Sequence, residues 1–163
     1  MEALLKQSKK KNFDIKGKKI FILGAGGVVP SIIFALKKMH VSEISITNRT
    51  EKKAEDIKNQ FNNIILTKWG DLPEFDMVIN ATSLGLNNES IKLNFSKVGK
   101  NKLFYDVIYN PSETSFLKEG KRLGNIGENG KLMFIYQAME AFYLWHGFKP
   151  KVDNEIIELL RND

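Results

Sequence analysis

The eight residues ILGAGGVV, positions 22–29, constrain this chain more than any other stretch. They close the apolar run KKIFIL (18–23) and open VVPSIIFALKKM (28–39), whose apolar residues recur at helical spacing, so the glycines fall on a strand-to-helix turn. In that setting Gly24 makes the tight turn and Gly26 lets the backbone approach a pyrophosphate. The N–H groups from Gly26 to Val28 then point at it from a helix N-terminus. The third glycine position holds Val29, which asks for slightly looser helix-strand packing, and Pro30 lacks only an N–H that has no intrahelical partner. The pattern also fits a glycine-rich turn without a ligand, or a loop for another nucleotide such as the adenosine of a methyl donor.

The rest of the chain alternates in the same way. EISIT (43–47), NIILT (63–67), DMVINA (76–81) and KLFYDVI (102–108) read as strands. EKKAEDIKNQF (51–61) and SETSFLKEGKRLG (112–124) read as helices, the second with Ser112 or Thr114 near its cap and Gly124 at its end. Two further helices are expected over about 130–145 and 153–162, separated by Gly147 and Pro150. The expectation is an α/β chain with a Rossmann-type three-layer α/β/α architecture and a mostly parallel twisted sheet. At 163 residues and 42% apolar content it makes a single domain, running from 18 to 163 after a lead-in helix or linker over 1–17.

Composition excludes several chemistries. With no cysteine there is no disulfide, thiolate nucleophile or zinc-thiolate site, and His40 and His146 alone are too few for an ordinary metal site. No apolar run reaches membrane-spanning length and no secretory leader is visible, so a cytoplasmic protein with no membrane partner is expected. The net charge of +6 is concentrated in places such as KQSKKKNFDIKGKK (6–19), which reads as a solvated entry segment rather than a nucleic-acid surface. A moderately basic surface still favours a phosphorylated ligand.

The second strand ends on SITNRTEKKAED (45–56), and its residues bear on the cofactor. The acid that takes the ribose hydroxyls of NAD belongs about 20 to 25 positions after Gly24. Thr47, Asn48 and Arg49 stand there instead. Arginine offers a planar fork to a 2′-phosphate, where an acid would repel it. Lys53, four residues on, can bring a second charge to the same phosphate, and the Thr50 hydroxyl adds a neutral donor. Cations at a helix start oppose its dipole, so an anionic ligand is expected to compensate them. NADP is therefore the expected cofactor; the alternative is that Arg49 and Lys53 are exposed helix-start residues.

Five ordered segments, GAGGVV, NRTEKK, NATSLGL, YDVIYNPSET and GKLMFIYQAMEAFYLWHG, resemble the NADP-binding domain of the shikimate dehydrogenase family from about Lys16 to the C-terminus. The resemblance implies reduction of 3-dehydroshikimate to shikimate with NADPH, on the route to chorismate and aromatic amino acids. It implies a pyrophosphate site at Gly24, Ala25, Gly26, Gly27, Val28 and Val29, and a 2′-phosphate clamp of Asn48, Arg49, Thr50 and Lys53. Thr82, Ser83 and Leu84 match the loop lining the cofactor. Val107 and Gly130, with Met133 close by, match positions beside the nicotinamide, and Tyr109 and Gln137 match substrate contacts. Leu132 departs from the family by standing where many members have a second glycine. On residue type alone, Asn80 and Thr82 could cap a strand end, Tyr109 could be a turn aromatic, Gln137 could be solvated, and the stripe Phe134, Ala138, Ala141, Phe142 and Trp145 reads as core.

Family members normally carry an N-terminal half that binds shikimate and supplies a lysine-aspartate pair for the proton. No lysine here sits in such a motif, so the expectation is a fragment that binds NADP(H) with little or no activity alone. The helix from Leu132 to Trp145 and a terminal helix with Ile156, Ile157 and Leu160 would then border the domain junction and favour self-association. Two other readings stay open: a quinate/shikimate relative accepting NAD, for which Glu51 is the only suitably placed acid, and a stand-alone module that senses NADP(H) without catalysis.

Overall fold

The computed structural model describes residues 13–87 and 89–159. Most of the expected lead-in, and Leu160 with the end of the last expected helix, lie outside them. The elements in chain order are β1 (Lys19–Leu23), α1 (Val29–Lys38), β2 (Glu43–Thr47), α2 (Glu51–Gln60), β3 (Ile64–Leu66), β4 (Met77–Asn80), a 3-10 turn (Phe95–Lys97), β5 (Leu103–Asp106), α3 (Ser115–Arg122), β6 (Ile126–Glu128), α4 (Lys131–His146) and α5 (Asn154–Leu159). The six strands form one sheet in the order β3-β2-β1-β4-β5-β6, each pair parallel. The chain steps outward from β1 to β3 and resumes at β4 on the other side of β1. That reversal opens a crevice at the carboxyl ends of β1 and β4, where a doubly wound sheet places its ligand.

Both faces of the sheet are covered, which is why β1, β4 and β5 read as unbroken apolar runs. Ile20 and Ile22 of β1 enter one core with Ile32, Ile33 and Leu36 of α1 and Ile57 of α2. Their neighbours Phe21 and Leu23 enter the other, with Phe75, Phe95, Phe104 and the α3 residues Phe116 and Leu117. Phe104 centres that second core, its ring 5.1 Å from Phe116 and 5.2 Å from Phe95. The first core reaches back to Phe13 and Ile15, so packing begins upstream of the expected boundary at residue 18.

Other differences from the sequence reading have local causes. β6 is a strand that periodicity could not reveal, because three residues with a glycine at the centre show no alternation. Of the two candidate caps for α3, Thr114 serves: its Oγ1 accepts from the Leu117 N–H. The α4 stripe is not core. Phe134 is 39% and Trp145 80% exposed, and among the described side chains of that helix only Lys131 and Ile135 are buried. Apolar residues occur on nearly every side of α4, so its composition does not single out a buried face. No helix among the described residues is long and apolar enough to cross a membrane.

Candidate cofactor site

Gly24 ends β1 in a conformation that a side chain would oppose twice. Its φ is +107°, and an added Cβ would lie 2.7 Å from the Ala81 carbonyl oxygen. Its N–H donates to Thr47 O at 2.8 Å, which fixes the turn against β2. Gly26 and Gly27 are exposed, and a Cβ on Gly27 would meet nothing within 4 Å, so the backbone there faces open space. Val28 is half-buried. Val29 is fully buried and donates its N–H to Gly26 O at 3.0 Å, so it packs the turn and offers no free donor.

The end of β2 supplies the second wall. Asn48 donates from Nδ2 to Thr50 O at 2.8 Å, folding the tripeptide Asn48–Arg49–Thr50 back on itself. Thr50 takes the N-cap position of α2 in an extended conformation but makes no side-chain cap bond. Its hydroxyl is therefore not engaged by the helix. Arg49 and Lys53 are exposed and form no ion pair among the described residues, whereas Lys52 beside them pairs with Asp56 at 3.5 Å.

A buried polar relay holds the third wall. Asn80, at the end of β4, accepts from the Thr82 N–H at 3.1 Å and the Thr82 hydroxyl at 2.7 Å, and donates to Leu84 O at 3.0 Å. Its Nδ2 also donates to Asp106 Oδ1 at 3.0 Å. Asp106 accepts in addition from the Ile108 N–H at 3.0 Å and the Thr114 hydroxyl at 2.6 Å. Burial pushes the Asp106 carboxyl above its ordinary range, and the hydrogen bonds from Thr114, Ile108 and Asn80 oppose that shift. The relay thus ties the loop 82–84 to β5 and to the start of α3.

These walls enclose a cavity of about 470 Å³. Gly24, Ala25, Gly26, Asn48, Arg49, Thr50, Lys53, Thr82, Ser83 and Leu84 line it, joined by Trp69, Ala81, Ser90 and Lys92, which the sequence reading missed. The lining carries three cations and no carboxylate. Glu51 is exposed and does not line it. Such a field, with donors at a glycine turn, suits an anionic nucleotide.

The remaining expected residues gather past β5, outside this lining. Gly130 donates its N–H to Ile108 O at 3.1 Å, and a Cβ there would fall 2.0 Å from Val107 O. Val107 and Met133 are half-buried, and Gln137 is exposed. The Tyr109 ring stacks on Phe134 with centroids 4.5 Å apart.

Comparison with known proteins gives this geometry a family. The family described as "Shikimate / quinate 5-dehydrogenase" matches residues 6–111, and "Shikimate 5'-dehydrogenase C-terminal domain" matches residues 132–154. The shikimate dehydrogenase (NADP(+)) of Pelagibacter ubique is 56% identical over 148 residues, covering 90% of this chain and 56% of that protein. The crystal structure of 5-ketofructose reductase of a Gluconobacter strain superposes with a TM-score of 0.82 at 31% identity, covering 98% of this chain and 61% of the other. The Thermus thermophilus shikimate 5-dehydrogenase, solved in complex with NADP(H) and shikimate, gives 0.78 at 28% identity, covering 92% and 57%. The chain spans about half the length of the curated relatives it matches. The parallel sheet, the glycine turn and these matches together show that the chain belongs to the shikimate/quinate 5-dehydrogenase family.

Proposed function

We propose that this chain is the NADP(H)-binding part of a shikimate dehydrogenase. The observation that carries the reading is a cavity at the carboxyl ends of β1, β2 and β4 in which Arg49 and Lys53 stand free of carboxylates beside the glycine turn. The cofactor, when bound, exchanges a hydride with the substrate. The chain's own part is to bind and orient. The turn that Gly24 makes presents the backbone N–H groups of Gly26 and Gly27 to a pyrophosphate, and the Arg49 guanidinium with the Lys53 ammonium takes the 2′-phosphate. The loop Thr82–Leu84, braced through Asn80, borders the dinucleotide. Val107, Gly130 and Met133 then fall on the nicotinamide side, and Tyr109 and Gln137 on the substrate side.

A preference for NAD, as in a quinate dehydrogenase, would need an acid at the ribose. Glu51 is the nearest in sequence, and its absence from the cavity lining favours NADP. The substrate assignment rests on the Pelagibacter relative, since the fold itself is similar to that of a 5-ketofructose reductase as well. The proton acid-base is proposed to come from the additional length of the two-domain relatives. The exposed Leu144, Trp145 and Phe148 would be covered by that region, or by a second copy.

The 163-residue chain, given NADP+ and shikimate, is expected to bind cofactor but form no reduced nicotinamide above background, as followed by absorbance. Turnover by the chain alone would contradict the assignment of the acid-base elsewhere. Cofactor binding without any turnover in a polypeptide of the relatives' full length would remove shikimate as the substrate.

A further inference from the structure

Trp69, Ser90 and Lys92 line the cavity without a part in the clamp just described. We infer that Trp69 and Lys92 complete the adenosine end of the site, the indole stacking on the adenine and the ammonium adding a third charge to the 2′-phosphate. The inference rests on the NADP reading above.

The placement follows from the neighbours of Lys92. Ile91 and Leu93 are half-buried and pack, together with Leu72, against the phenylalanine core on the α3 side of the sheet. With both neighbours turned inward, Lys92 is exposed on the cavity wall. The Leu93 N–H donates to Ile91 O at 2.9 Å, which holds the chain in a tight turn about Lys92. Leu72 lies three residues after Trp69, in the segment that follows β3, so the segments that carry Trp69 and Lys92 pack on one core and both line the cavity, which Val107 and Gly130, after β5, do not.

Charge points the same way. Some lysines elsewhere on this surface have carboxylate partners, as Lys19 has Glu74, Lys121 has Glu113 and Lys149 has Glu140, and those without one are not gathered in a shared cavity lining. Lys92, like Arg49 and Lys53, has no ion pair among the described residues, yet these three share one cavity. Like charges gathered without a carboxylate repel one another until an anion joins them, and a phosphate monoester carries close to two negative charges. Trp69 is half-buried beside them and presents an aromatic face, which binds a purine by stacking whatever the charge of the sugar.

The two contacts have different signatures. In calorimetry, Lys92→Gln is expected to weaken NADP+ about tenfold and leave NAD+ within about twofold, because only NADP+ carries the 2′-phosphate. Trp69→Leu is expected to weaken both by about tenfold. A readout independent of the Trp69 variant's folding uses Trp145→Phe, which leaves Trp69 as the sole indole, since the chain has two tryptophans. Adenosine 2′,5′-bisphosphate, which lacks nicotinamide, should then quench the Trp69 emission. Unchanged emission at saturation, or equal losses of NADP+ and NAD+ in Lys92→Gln, would overturn the inference while the Arg49 clamp still stands. A wild-type chain with no preference for NADP+ would instead overturn the parent reading, and this one with it.

Discussion

Gly130→Ala is expected to destabilise the domain by about 3 kcal/mol, the upper part of the range for forcing atoms into a packed site. The reason is steric alone. At φ −76° and ψ 1° the backbone suits alanine, which should even be favoured slightly through the unfolded chain. The added Cβ, however, would sit 2.0 Å from Val107 O and 2.6 Å from its carbonyl carbon. Those are backbone atoms, so no rotamer change relieves the contact. Relief needs the start of α4 to move off the end of β5, which breaks the Gly130 N–H bond to Ile108 O. Gly27→Ala is the matched control, since a Cβ there meets nothing within 4 Å and φ is not positive. Urea denaturation of the two variants compares them directly. Equal stability would mean that α4 does not dock on the segment after β5 as described.

Asp106→Ala is expected to cost a similar amount, about 3 kcal/mol, for a different reason. It removes the shared acceptor of three donors, Asn80 Nδ2, the Ile108 N–H and the Thr114 hydroxyl, and a buried donor left unpaired costs about 1–3 kcal/mol. Asn80 keeps its bond to Leu84 O and Thr114 keeps the cap of α3, which limits the total. Because Asn80 also holds Thr82, the loop on the cavity wall should loosen, and cofactor affinity should fall with stability.

The pH dependence of this carboxyl has a definite sign. Its folded-state pKa is raised, chiefly by burial, so the folded state holds the proton more tightly than the unfolded chain does. Stability contributed by Asp106 therefore grows as pH falls from its folded pKa to the ordinary carboxylate range, and is lost as pH rises back through that window. Asp106→Asn should remove that slope, leaving the wild type to gain relative to the variant on mild acidification. A wild type that loses ground to Asp106→Asn over that window would show that the carboxyl's surroundings favour its ionised form.

What the sequence made legible is what the chain places locally. The glycine turn and the Asn48–Lys53 stretch each follow a strand within a few residues, so periodicity fixed both their setting and their end of the sheet. Trp69 and Lys92 lie in segments with neither period, and they meet the clamp only because Leu72, Ile91 and Leu93 share a core. The one trace in the sequence is the triplet Ile91-Lys92-Leu93, an apolar pair bracketing a cation. Asp106 falls in the strand run KLFYDVI, which gives no sign of its hydrogen-bond partners. Its partners Asn80 and Thr114 lie 26 residues before it and eight after it, distances over which no local pattern operates. The α4 stripe misled for the opposite reason: its spacing was helical, but the helix docks mainly through its first turns.

The account rests on phosphate discrimination, and one titration tests it. Calorimetry of the purified chain with NADP+ and with NAD+, repeated for Arg49→Ala, should show NADP+ binding at least about a hundredfold more tightly in the wild type. That is the ratio for the charge-assisted bonds of Arg49 and Lys53 alone, at about 1.5 kcal/mol each. In Arg49→Ala the gap should shrink by about tenfold or more, with NAD+ affinity little changed. Equal affinities in the wild type, or a gap that does not shrink on the loss of Arg49, would contradict the 2′-phosphate clamp.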